Sequence, residues 1–211
     1  MITKRPEPRS LAEFRATPGA SFSGFGGPAK DELRSALVAE QRHLCCYRMN
    51  RIRTDETTRI EHWAPRKHAE LQLDYKNLLS ACSGGTALRP SEQHCDVRKA
   101  EQSIGLDPRA PSPHASQMRY DDDGTIDIED AGLRADVHQR LNLNHRTLKA
   151  NRKGSLASFV AALRRDQGKN REWPRAALEK ARRQLEDPHA AELRPYVEVL
   201  LYWIRRRIGP A

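Results

Sequence analysis

Arg59-Ile60-Glu61-His62-Trp63, with a polar stretch before it and Pro65 after it, reads as one short strand, and the rest of the fold is laid out around it. Downstream, Asp74 to Cys82 contains Asn77-Leu78-Leu79, either a second short strand or a turn followed by one. Ser83-Gly84-Gly85 breaks that segment, and Cys95 to Gln102 is polar with helical composition, so the order is strand, loop, strand, helix. Upstream, Leu33, Leu37 and Leu44 lie at helical spacing among good helix formers from about Lys30, which predicts an amphipathic helix leading into Cys45. Residues 1–28 mix Pro, Gly, Ser and scattered Arg without periodicity and are expected to form a loosely attached arm.

Towards the C-terminus, Met118 to Ile128 places Asp123-Gly124 between two short runs, the signal of a hairpin. After Ala131 the pattern turns helical. One helix is expected to reach Leu141. Leu148, Leu156, Phe159, Val160 and Leu163 mark a second, with Lys153-Gly154 as a point of interruption. Pro174 and Pro188 each suit the first turn of a further helix, the latter with Asp187 as its cap. The last helix carries the stripe Leu193, Val197, Leu200, Leu201, Ile204 and Ile208, flanked by Arg205, Arg206 and Arg207. Such a stripe serves as core or as a docking surface. The expected architecture is α+β and mainly helical: an arm over 1–28, a core with the hairpin over 29–130, and a basic helical region over 131–211.

The 211 residues include 37 Lys and Arg against 28 Asp and Glu, a formal charge of +9. Residues 1–140 balance to about zero, so 141–211 carry the whole excess, which suits a polyanionic partner such as DNA or RNA. No apolar run approaches the roughly 20 residues of a membrane span, and the first thirty residues lack the apolar centre of a signal peptide. A cytoplasmic protein with no membrane partner is therefore expected. In that setting Cys45, Cys46, Cys82 and Cys95 argue for metal binding or plain burial rather than disulfides, and His43, His62, His68 and His94 lie in the same stretch.

Phosphodiester hydrolysis requires a base that is neutral near pH 7, a hard cation at the departing oxygen, carboxylates to hold that cation, and cations to hold the phosphate backbone. Residues 61–99 contain each part. His62 suits the base. Glu61 and Asp96 suit magnesium or manganese, which keep several waters and need few protein ligands. Arg66, Lys67, Arg98 and Lys99 suit phosphate oxygens. One geometric difficulty stands out: adjacent residues of a regular strand point to opposite faces, so Glu61 and His62 share a groove only where the strand ends or twists.

Taken together, Ile60-Glu61-His62-Trp63, Asn77-Leu78-Leu79 and Cys95-Asp96-Val97-Arg98-Lys99 resemble the HNH nuclease family, built on a ββα-metal unit with a zinc knuckle. The resemblance implies that His62 is the general base, that Asn77 orients the loop bearing it, and that Glu61 and Asp96 bind the catalytic Mg2+ or Mn2+. Leu44-Cys45-Cys46-Tyr47, Leu73-Asp74-Tyr75-Lys76-Asn77-Leu78-Leu79, Gln93-His94-Cys95-Asp96, Tyr120 to Ile128, and Leu141-Asn142-Leu143-Asn144 with Arg152-Lys153 look like the PtuB-type branch, the HNH subunits of Septu antiphage systems and of certain retrons. That likeness covers about Lys30 to Lys153 and implies an ATPase partner of the ABC or SMC-like kind. The alternative is a catalytically weak nucleic-acid-binding or ATPase-docking adaptor on the same frame.

The same resemblance implies a structural Zn2+ on four cysteines, of which this chain keeps three: Cys45, Cys82 and Cys95. Arg48 stands where the family has its second ligand, and a guanidinium neither binds zinc nor sits comfortably beside it. Three arrangements stay open. Cys46, His43 or His94 supplies the fourth ligand, zinc is held with water in the open position, or the knuckle packs around free thiols.

Overall fold

The computed structural model describes residues 2–109, 117–167 and 173–209. Seven helices and two small antiparallel sheets are described, so the protein is mixed and mainly helical, as expected. In chain order they are α1 (Arg9–Arg15), α2 (Gly27–Glu40), β1 (Arg59–His62), β2 (Leu78–Ala81), α3 (Cys95–Lys99), β3 (Met118–Tyr120), β4 (Ile126–Ile128), α4 (Ala131–Ala135), α5 (Arg146–Gln167), α6 (Arg175–Leu185) and α7 (Val197–Ile208).

The strand read from residues 59–63 is β1. Among the described residues it pairs only with β2, in the register Arg59 with Ala81, Ile60 with Ser80, Glu61 with Leu79 and His62 with Leu78. A short turn at Tyr75–Asn77, capped by the Asp74 carboxylate on the Lys76 N–H, delivers the chain into β2. All four residues of β2 are buried, because one face meets α2 and the N-terminal segment while the other meets the cysteine-bearing loops. The helix predicted from Cys95 is only one turn and a half long. It stops at Ala100, whose positive φ of 49° ends the helical path.

Residues 2–28 correct the expectation of a loose arm. Leu11, Phe22 and Phe25 pack with Leu33 and Leu37 of α2 and with Leu73, Tyr75 and Leu78 in one apolar cluster. The polar anchor is the buried Glu40 carboxylate. It accepts from the Lys4 ammonium, from the Arg5 N–H at 3.0 Å and from the Tyr75 hydroxyl at 2.8 Å. The composition hid this packing, since much of it is made with side chains far along the chain, Leu73, Tyr75 and Leu78 among them.

A second cluster holds Cys45, Cys82, Cys95, Ile104, Leu106, Ile126, Ile128, Val137, Leu141, Leu143, Leu148, Tyr196 and Val199. The expected boundary at residue 130 therefore does not separate two cores. The Leu141–Asn144 loop joins them: the Cys95 N–H donates to the Leu141 carbonyl, Asn142 Nδ2 to those of Ser91 and Gln93, and the buried Arg152 to those of Gly124 and Leu143. Gly124 has φ +88°, and a Cβ there would stand 2.2 Å from the Lys149 carbonyl oxygen, so the Asp123-Gly124 turn admits only glycine.

Helix α5 runs through Lys153-Gly154 without a break, because Gly154 meets nothing that would force one. The last helix begins at Val197 rather than near Pro188. Its approach is used elsewhere: Leu193 N–H donates to Arg42 O and Tyr196 N–H to Met49 O, and Tyr196 has φ +60°. The stripe of α7 is core. Val197, Leu200, Leu201 and Ile204 are buried against Leu178, Ala181 and Leu185 of α6 and Phe159 of α5, each worth about 1.5–3 kcal/mol of transfer free energy. Arg205, Arg206 and Arg207 remain exposed on its outer side. Among the described residues no helix is long and apolar enough to cross a membrane.

Candidate active site

Among the described residues β1 has one free edge, and it ends at His62, so the chain leaves the regular strand where the geometric difficulty of adjacent Glu61 and His62 requires it to. Glu61, His62 and Asp96 all line one open cleft of about 270 Å³ at that edge, together with Phe22, Lys30, Arg34, Arg59 and Arg66. Asp96 is close enough to Glu61 for its charge to disfavour that of Glu61.

His62 closes the strand. Its Nε2 lies 2.9 Å from the Gln72 carbonyl oxygen, which can only accept, so the proton is on Nε2 and Nδ1 is the ring's acceptor. The Phe22 ring meets the imidazole edge-on with centroids 4.4 Å apart. Burial lowers the imidazole pKa from 6.5 to about 4. The Gln72 carbonyl opposes this, while the charges of Arg66 and Lys99 add to it. The ring is therefore neutral at pH 7. Asn77 fixes the chain beyond it: its Oδ1 accepts from the Ala64 N–H at 2.8 Å, and its Nδ2 donates to the carbonyls of Ala64 and Leu71.

Glu61 faces inward and accepts from the Tyr47 hydroxyl at 2.7 Å and the Lys99 ammonium at 2.8 Å. Burial raises its pKa to about 7, with Lys99 opposing and Asp96 reinforcing the shift. Asp96, at the start of α3, accepts from Arg59 Nε at 2.6 Å through Oδ2, while its buried Oδ1 has no partner in the protein. Burial raises this carboxyl too, against the pull of Arg59. A buried carboxylate oxygen without a partner is an oxygen donor of the type a hard divalent cation takes.

Of the four cations expected to meet phosphate, Arg66 lines the cleft, paired at its rim with Glu101. Lys67 is exposed outside the cleft lining. Two assignments are corrected. Lys99 is 1 % exposed, with its ammonium spent on Glu61 and on the His62 carbonyl at 2.7 Å, so it braces the site from within. Arg98 turns away and donates to the carbonyls of Gln139 and Pro90. Arg59, Tyr47 and Phe22 escaped the sequence reading. Arg59 had a signal, since it shares the face of Glu61 two residues along the strand. Tyr47 stood in the Leu44–Tyr47 motif but was given no role, and Phe22 had no signal, being brought in from a distant segment.

Behind β2, the sulfurs of Cys45, Cys82 and Cys95 lie within 4.8 Å of one another and could hold a metal ion such as zinc. Cys45 and Cys95 Sγ are 4.0 Å apart, near the spacing of about 3.8 Å that tetrahedral ligands at 2.3 Å require. His94 Nδ1 is 3.3 Å from Cys95 Sγ and 4.0 Å from Cys82 Sγ, but it falls outside the group formed by the three sulfurs. Cys46 is outside the cluster, and His43 instead faces Glu192 at 4.0 Å. Contrary to expectation, the Arg48 guanidinium is close enough to feel all three sulfurs: burial disfavours its charge, but the thiolates outweigh this and raise its pKa. Three thiolates carry one charge more than a divalent ion cancels, so a guanidinium alongside is electrostatically favourable.

No protein-family model matches the chain, and no curated protein matches it.

Proposed function

We propose that the chain is a metal-dependent HNH endonuclease that hydrolyses phosphodiester bonds of nucleic acid. The observation that supports this best is the convergence, on one open cleft, of a neutral imidazole held in a single tautomer with two buried carboxylates. Glu61 and Asp96 would hold Mg2+ or Mn2+, which supplies positive charge for the departing oxygen. His62 Nδ1 takes the proton of the attacking water, and the Nε2–H bond to Gln72 keeps the ring in place as it becomes charged. A bound phosphodiester adds negative charge beside the ring and raises its basicity at the moment it is used. Arg66 and the other cleft cations receive the backbone. Asn77 acts as a positioning residue for the loop after His62.

By the family resemblance, the protein serves as the nuclease subunit of an antiphage system beside an ABC or SMC-like ATPase, with zinc at Cys45, Cys82 and Cys95 as a structural ion. The adaptor alternative is favoured by one observation, that Arg59 already satisfies part of Asp96 without any metal. His62→Ala separates the two. Cleavage of DNA or RNA with Mg2+ or Mn2+, assayed with and without the neighbouring ATPase, is expected in the parent and absent from the variant. Cleavage retained in the variant, or absent from the parent under every condition, overturns the nuclease assignment.

A further inference from the structure

Arg59 stands at the mouth of the cleft in an arrangement that hydrolysis itself does not explain. Its side chain is 48 % exposed, yet Nε is 2.6 Å from Oδ2 of a carboxylate that is only 5 % exposed. It sits on the same face of β1 as Glu61, two residues away, and its Nε holds one of the two carboxylates that would receive a cation. Among the described residues Asp96 has no other ion-pair partner, and its Oδ1 is orphaned. A buried carboxylate left wholly unpaired is costly, so a proton or a positive charge has to neutralise it whenever no metal is present, and the Arg59 contact shows the second.

We propose that Arg59 is a stand-in cation: it neutralises Asp96 while the divalent ion is absent, and on arrival of the ion it moves to the backbone phosphate entering the cleft. This assignment, which rests on the nuclease reading, makes Arg59 a competitor for metal in the free protein and a phosphate contact in the loaded one. The geometry supports both positions. The exposed half of the side chain gives it room to swing, and Lys30, Arg34 and Arg66 line the same cleft, alongside Glu56 and Glu101. A planar guanidinium serves either partner, since its paired donors match carboxylate and phosphate oxygens alike. The ion and the phosphodiester then bind with positive coupling, because each removes the competitor of the other.

The test is Mn2+ binding by the zinc-supplied full-length chain without nucleic acid, followed by electron paramagnetic resonance, in the parent, Arg59→Met, Arg59→Lys and Asp96→Asn. Zinc occupies the thiols, which a hard ion such as Mn2+ disfavours in any case. Arg59→Met is expected to bind Mn2+ about fivefold more tightly than the parent, the factor a half-exposed ion pair carries. Arg59→Lys, which keeps the charge, should stay near the parent, and Asp96→Asn should bind most weakly. In the presence of Mn2+, Arg59→Met should also bind nucleic acid less tightly, with a salt dependence lower by about one phosphate contact. Unchanged or weaker Mn2+ binding by Arg59→Met, with Asp96→Asn still impaired, overturns the stand-in role and leaves the nuclease reading standing. Absence of Mn2+ binding from both the parent and Arg59→Met overturns both.

Discussion

Replacing Lys99 by methionine removes an ammonium that the sequence suggests is a phosphate contact and the structure buries as a brace. Lys99 donates to Glu61 at 2.8 Å and to the His62 carbonyl at 2.7 Å, and methionine fills much of the same volume without any donor. Two buried acceptors lose a partner, each at a cost of about 1–3 kcal/mol, so Lys99→Met should lose about 2–6 kcal/mol at pH 7. A second effect depends on pH. In the parent the Glu61 pKa is raised from 4.5 to about 7 by burial, so the folded state binds the extra proton. Its contribution to stability falls as pH rises from 4.5 to 7 and is level above that. Without Lys99, which holds that pKa down, the folded carboxyl stays protonated to higher pH. The stability of Lys99→Met should therefore keep falling above pH 7, by about 1.4 kcal/mol per pH unit, until the new pKa is reached. Urea unfolding followed by tryptophan fluorescence at about pH 7, 8 and 9 measures both effects. Adding Glu61→Gln should abolish the extra slope. The reasoning is refuted if Lys99→Met matches the parent in stability and slope while its affinity for nucleic acid drops with a smaller salt dependence, for then the ammonium meets phosphate after all.

His62 carries a second pH signature. Its folded pKa of about 4 lies below the unfolded 6.5, so the stability it contributes is complete above 6.5 and is lost as pH falls from 6.5 to about 4. His62→Asn should be less sensitive to acid over that range by on the order of 3 kcal/mol, as measured by unfolding midpoints across pH, and an identical acid profile would show the ring to be solvated. Zinc is expected at about one ion per chain by elemental analysis. Chelation should lower the thermal midpoint, and Cys82→Ser should abolish both the zinc and the effect of chelation. Zinc content unchanged in Cys82→Ser would place the ion elsewhere.

The strand at Arg59–His62, the turn and strand through Leu79, the short helix from Cys95 and the hairpin around Gly124 were legible because each is encoded locally. Turn residues, apolar alternation and helix formers act over a few neighbours. The helix boundary at Pro188 was misread for a related reason. Proline and aspartate are good local signals, but the backbone donors of Leu193 and Tyr196 are taken by Arg42 and Met49, more than a hundred residues earlier in the chain. The stripe on α7 was visible as a stripe, and only its packing against α5 and α6 showed that it faces inward.

By itself the sequence determined the residue types of the candidate site and the order of the elements that carry them. Tertiary structure decided their directions. It turned Lys99 and Arg98 away from the cleft and Arg59 toward it, set Tyr47 on Glu61 and Phe22 on His62, and folded the N-terminal segment into the core. The reason is physical: the kind of chemistry a side chain can do is a property of the residue, whereas its burial, charge state and partners depend on segments that sequence leaves far apart and that meet only when the chain is packed.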